Sequence, residues 1–370
     1  MWPQRSELGR GLLGTGKSLS FVRLYETATR RIGVGDNMYE IWFFAFHTSK
    51  MNLSKVLLSL TVLMPLSCAH AQIALDFDWP DGLQATVTHT KSKTREGTPS
   101  SLPSGVTVVY DIDARKTTEG IVVSQSNLRI DTSALPIAFS DVERKQLQIF
   151  TQAGLPTFLV SPTGKFQRLV NAAAFRTTLF STFHQTLPSL FNDQKLNELL
   201  VQMTSDASLN AIASADWAQT VGFWAGGSLD VGEYYEAESQ SAIPFFPQKS
   251  FKMKSRIKIV GKVECSRMGQ ERGCVEIEME TRPDSDEIAS VLEELIQQAS
   301  VLSTTSSSEV IDSINLIVKT RLVTEPSGLI PHRYSTSKRI QVSGRTGAIR
   351  KTVSELQDVS MIYTYRTGVP

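Results

Sequence analysis

Alternation of apolar and charged residues is strongest in the centre of the chain. Phe251, Met253, Ile257, Ile259 and Val263 alternate with Lys252, Lys254, Arg256, Lys258 and Lys262, and on the return Val275, Ile277 and Met279 alternate with Glu276, Glu278 and Glu280. A period of two is that of a half-buried strand, so the pattern predicts an antiparallel hairpin turned by residues 266–273. Opposed charges across such a pair stabilise it by about 0.2–1 kcal/mol each. The charges therefore read as pairing and solubility devices and give no evidence for a binding patch.

The same period recurs on both sides. Leu83, Ala85 and Val87 alternate with polar residues, as do Val106, Val108, Tyr110 and Ile112, with residues 97–105 a loop by composition. Phe158-Leu159-Val160 and Lys165 to Leu169 flank Ser161-Pro162-Thr163-Gly164, which predicts a hairpin. Later, Ile314, Leu316, Val318 and Leu322 form a strand, Glu325-Pro326-Ser327-Gly328 a turn, and Val359, Met361, Tyr363 and Tyr365 a closing strand.

From Ala172 to Gly226 the period lengthens. Phe175, Leu179, Phe180, Phe183 and Leu187 share one helical face, Leu196, Leu199, Leu200 and Met203 a second, and Trp217, Val221 and Trp224 a third. Three helices are expected, broken near Pro188 and around residues 206–208, and a further one is opened by Asp284-Ser285-Asp286. Strands in meander order with helices grouped between them give an α+β class: a large curved antiparallel sheet, half-barrel-like, with several helices packed on one face.

The 370 residues carry 38 Lys+Arg against 37 Asp+Glu and are 41% hydrophobic, with 23 Gly and 15 Pro. This is globular composition, and a net charge of +1 gives no electrostatic footprint for a nucleic-acid partner. One segment changes the picture. Met51 to Lys55 precedes an apolar run from Val56 to Leu66, too short to span a bilayer, and Ala69 and Ala71 are the small residues that signal peptidase needs. The expectation is a signal peptide over residues 51–71 cleaved between Ala71 and Gln72, and residues 1–50 an upstream extension from a misassigned start. A lipoprotein signal through Cys68 ranks second, because Pro65 stands where such signals carry Leu. Residues 72–370 then form a single secreted domain with 30 basic and 33 acidic residues, membrane contact being confined to export unless Cys68 is lipidated.

Candidate chemistry is sparse. Gly11 to Ser18 matches the phosphate-loop pattern, with Gly11, Gly16, Lys17 and Ser18 at the defined positions, but Met1 to Arg10 holds no strand from which such a loop could leave. The nucleotide reading is the weak third. A nucleophile elbow fails at Asp230, and His89, His184 and His332 each stand alone in their local sequence, so no catalytic residue is assigned. No metal or cofactor is expected either, for neither Cys265 nor Cys274 has a local companion cluster. Asp111 and Asp113 read as a solvated strand face.

In an exported chain, Cys265 and Cys274 are the disulfide candidate, two free thiols being the alternative. Their parity conflicts: Cys265 falls with the apolar residues of its strand and Cys274 with the glutamates. A β-bulge, or a cysteine held in the loop end, would resolve this.

With a signal peptide, a meander and helices between strand groups, the chain is similar to the bacterial periplasmic half-barrels of the lipoprotein-carrier type, including uncharacterised secreted families. The resemblance is architectural and covers most of residues 72–370. It implies a non-enzymatic periplasmic protein binding a hydrophobic ligand, a lipid or hydrophobic peptide, or another envelope protein. Phe175, Phe180, Phe183, Trp217 and Trp224 are the candidate apolar face for that role, with plain core as the competing reading. The alternative function is a secreted hydrolase with a spatially assembled site.

Overall fold

The computed structural model describes residues 72–96, 104–131, 155–186, 204–243, 246–265, 273–284, 309–346 and 349–366, together with 194, 197, 198, 201, 287, 288 and 290. The phosphate-loop pattern, the leader with Cys68, the helical face Leu196 to Met203 and most of the helix expected after Asp284 lie outside these residues.

The alternating segments form strands. In chain order they are β1 (Gln72–Leu75), β2 (Leu83–Glu96), β3 (Ser104–Lys116), β4 (Ile121–Asp131), β5 (Thr157–Val160), β6 (Phe166–Leu169) and β7 (Gly227–Asp230), then β8 (Tyr234–Ile243), β9 (Phe246–Glu264), β10 (Gly273–Pro283), β11 (Glu309–Glu325), β12 (Ile330–Thr346) and β13 (Ile349–Tyr365). Between β6 and β7 stand α1 (Ala172–Thr186) and α2 (Asp206–Trp217), the latter running on into a π turn at Ala218–Gly222.

Eleven strands form one antiparallel sheet in the order β6-β5-β4-β3-β2-β13-β12-β11-β10-β9-β8, and β1 pairs with β7 in a small second sheet. The chain's last strand closes against its second, Tyr363 lying opposite Val87, so the two strand groups merge at the centre. The sheet is open: β6 and β8 are its edges, and it does not close into a barrel. The α+β class with a dominant antiparallel sheet stands as read from the sequence.

One side of the sheet is buried over most of its width. Leu83, Ala85, Val87, His89 and Lys91 of β2 are buried in alternation, as are Phe251, Met253, Ser255, Ile257 and Ile259 of β9. Strand β8 escaped the sequence reading because its apolar residues are few: Tyr235 and Ala237 pack on the core, while Tyr234 is exposed beneath the Arg256 guanidinium, 3.8 Å from its ring centre. The expected pairing of β10 glutamates with β9 cations exists in register, Glu278 opposite Lys258 and Glu280 opposite Arg256. The described ion pairs of Glu278 and Glu280 nevertheless reach the other way, to Arg321 at 2.8 Å and Lys319 at 3.6 Å on β11, or along β10 itself, from Glu280 to Arg282 at 2.7 Å.

The β5–β6 hairpin forms as its turn residues require. Gly164 has φ of +80°, and a Cβ there would stand 2.8 Å from the Phe77 ring, so backbone conformation and packing both demand glycine.

Candidate functional site

The helical end is aromatic. Trp217, the last residue of α2, packs on Trp79, Phe158 and Phe77 with ring centres 5.1, 5.5 and 5.8 Å away, and its indole N–H donates to the Gly164 carbonyl at 2.7 Å. Trp224 is buried beside Phe223 and donates to the Gln219 carbonyl. Of the five residues proposed as an apolar binding face, these two are core and Phe175 packs against that core. Phe180 is half-buried, and the Phe183 side chain lies outside the described residues.

Below this cluster α2 and the π turn bring polar atoms to the sheet. Tyr334 donates its hydroxyl to Gln219 Oε1 at 2.8 Å, and Tyr363 lies near Thr220 and Met361. Burial raises both phenols above their usual range. Asp216 Oδ1 is shut off from solvent without a hydrogen-bond partner among the described residues, and burial lifts the carboxyl to about 7. A buried carboxylate without compensation favours its neutral form.

Further along the same side, alternation places Lys91 and Lys93 of β2, Lys338 of β12 and Glu355 of β13 on the three central strands. Lys91 is only 4% exposed, and Lys93 Nζ lies 3.2 Å from Glu355. Burial lowers Lys338 to about 8, against the pull of Glu355. His89 is lowered to about 3, first by burial and then by Lys91. Three ammonium groups on the buried side of a sheet centre are uncommon, because ionised side chains go inside only when compensated.

A second cluster sits at the end of the charged hairpin. Cys265 and Cys274 form a disulfide with Cα atoms 5.2 Å apart. The parity conflict is resolved by a bulge: Glu276 faces Gly261 and Ile277 faces Ile259, leaving Val260 as the extra residue. Beyond it Val263 lies opposite Cys274, so Cys265 shares its partner's side. Beside the sulfurs stands His332, whose Nε2 lies 2.9 Å from Glu325 Oε1, both residues being buried, with the Tyr365 ring edge-on to the imidazole. The bridge closes a short loop, and its removal should cost about 2–3 kcal/mol through the unfolded chain. Urea unfolding of the Cys265→Ser, Cys274→Ser double variant measures this; an unchanged midpoint would show that the bridge does not constrain the chain.

The opposite side of the sheet carries an open groove of 390 Å³ over β2, β11, β12 and β13. Polar residue types predominate in its lining, with Ser335, Ser337 and Ser360 beside Lys319, Arg321 and Asp358. On β3, Asp111 accepts hydrogen bonds from Thr86 at 2.7 Å and Asn127 at 2.9 Å, and Asp113 accepts from Gln84. These bonds, Asn127's first, hold the Asp111 carboxyl below its usual value, so both aspartates tie strands together instead of forming a merely solvated face. His184 is exposed in the last turn of α1.

No family model matches the chain, and no curated protein matches it. The site therefore rests on its own geometry. Folding gathers residues that no local spacing announced: Asp216 with Tyr334 and Tyr363, the three lysines with Glu355, and His332 with the cystine. Lysines that share the parity of Leu83, Ala85 and Val87 were the available signal for the second group, since parity alone puts Lys91 and Lys93 inward. The other two groups join residues more than fifty positions apart and leave no local trace.

Proposed function

We propose that the chain is an exported, non-enzymatic binding protein of the bacterial envelope, and that its ligand is a hydrophobic molecule with an acidic head. The reading takes the sheet as curved around its buried side, with the helices laid across that side. The observation that carries it is the composition of that side: aromatic and aliphatic where α2 meets the sheet, then Lys91, Lys93 and Lys338 at the sheet centre. An apolar wall ending in buried cations suits an amphiphilic anion, the tail gaining by burial and the head by charge-assisted contacts in a low-dielectric setting.

The test is purification of the natural product without detergent, with amino-terminal sequencing and mass spectrometry of the extract. A mature end at Gln72 and a stoichiometric acidic amphiphile are expected. Lys338→Met should reduce its occupancy about tenfold, the worth of one charged contact, without destabilising the fold, since burial already disfavours that ammonium. An uncut chain in the cytosol overturns export. A folded, ligand-free chain, or a tightly held partner protein in place of the amphiphile, overturns the ligand.

A secreted hydrolase is the second reading, and the His332–Glu325 contact favours it, because a carboxylate that orients a histidine is half of a catalytic constellation. The cystine sulfurs lie within 4.8 Å of the imidazole, but the disulfide occupies them. Turnover abolished by His332→Ala would establish this reading.

A further inference from the structure

Cys265 Sγ, Cys274 Sγ and a ring nitrogen of His332 all lie within 4.8 Å of one another. We infer that in the reduced chain these three residues, with Glu325 behind them, bind one thiophilic divalent cation of the zinc type, and that disulfide and metal are alternative occupants of one place.

Distance, freedom of movement, charge and orientation all favour such a site. The first is distance. Tetrahedral zinc holds sulfur at about 2.3 Å and imidazole nitrogen at about 2.0–2.1 Å, so its ligands stand roughly 3.3–3.8 Å from one another. The imidazole nitrogen already stands within 4.8 Å of both sulfurs, and the bonded sulfurs must separate. The second is freedom of movement. Cys274, Glu325 and His332 belong to the adjacent strands β10, β11 and β12, whereas Cys265 follows the last residue of β9 and is partly exposed. Cys265 can therefore swing outward by an ångström or two while the other three stay in register.

The third is charge and softness. Two thiolates by themselves balance a divalent cation in a buried place, and a sulfur–nitrogen donor set selects zinc over magnesium or calcium. The fourth is orientation. Glu325 already holds the imidazole at 2.9 Å, the carboxylate–histidine contact that fixes a ligating ring and raises its basicity. Glu325 serves in that role or as the fourth ligand, and in both its loss weakens binding.

The exchange balances. A dithiol reductant transfers two electrons and two protons to the cystine and leaves as its own disulfide. The cation then binds both sulfurs and releases the two protons, so loading weakens as pH falls. Cys265 is the sulfur open to the attacking thiolate, since Cys274 is fully buried.

The experiment is a cobalt titration of the whole chain, reduced by a phosphine that is then removed under argon. One cobalt per chain is expected, with thiolate charge-transfer and tetrahedral ligand-field bands, displaced by zinc and missing from the oxidised chain. Cys265→Ser, at the partly exposed position, should lose the charge-transfer intensity of one sulfur. Glu325→Gln should weaken binding about 10–100-fold, and His332→Ala at least as much. Circular dichroism of each variant establishes that it is folded. A reduced, folded chain with no thiolate–cobalt band overturns the proposal, as does unchanged affinity in folded His332→Ala. The oxidised chain binding cobalt equally well would also overturn it, by placing the metal elsewhere.

Discussion

Asp216→Asn should make the protein more stable in mildly alkaline solution. Burial raises the Asp216 carboxyl to about 7, whereas an unfolded aspartate titrates near 3.9. Between those values the native state keeps a proton that the unfolded chain has released, so stability falls as pH rises through this window. Three units correspond to about 4 kcal/mol, fully expressed above pH 7. The amide carries no such charge, and its variant should unfold at higher urea than the parent at pH 8 and at nearly the same urea at pH 4. A parent that equals or exceeds the variant at pH 8 would mean that the carboxylate finds compensation when ionised.

His89 acts at the other end of the scale. Its value of about 3 lies below the unfolded 6.5, so the stability that it contributes is present above 6.5 and lost as pH falls toward 3. The two slopes have opposite signs and overlap. Their sum is a rise from pH 3 to 4, a plateau from 4 to about 6.5, and a short decline to about 7. The variant, left with the His89 slope alone, should go on rising from pH 4 to about 6.5 and stay level above it, so the two profiles part from pH 4 upward.

Trp217→Ala should be the most damaging single truncation in the described core, at about 3–5 kcal/mol. The ring touches Phe77, Trp79 and Phe158 together, so its loss opens a hole among aromatics held by two distant parts of the chain. It also leaves the Gly164 carbonyl without its 2.7 Å donor. Trp217→Phe separates these effects, retaining most of the volume and losing the bond, at about 1–3 kcal/mol. Urea unfolding followed by circular dichroism gives both numbers. If alanine costs no more than phenylalanine, the neighbouring rings close the gap and the cluster does not hold the helical end in place.

Period-two alternation was a strong guide to the sheet, because each strand has one buried side and the pattern records it directly. The Phe158–Leu169 hairpin and the closing strand at Met361 and Tyr363 followed from local residues alone. Strand β8 did not, since an edge strand with a polar exposed side writes little apolar signal. The bulge was legible only as a contradiction in the parity of two cysteines, and the residue that absorbs it, Val260, carries no mark. The site was less legible still. Nothing near His332 or Glu325 in sequence points to Cys274, because the strand order that joins them is a property of the whole sheet. The aromatic stripe, by contrast, was plain in sequence but ambiguous in role, since the same spacing serves a packed interior and an open one.

The extra residue at Val260 has a consequence for how this hairpin can drift in evolution. With one residue fewer between Ile259 and Cys265, the strand would return to even count and Cys265 would project through to the far side, away from its mate. Single-residue length changes between those positions are therefore excluded while the cystine is kept, whereas paired changes leave it intact. That stretch should hold its length in descendants more strictly than its side chains.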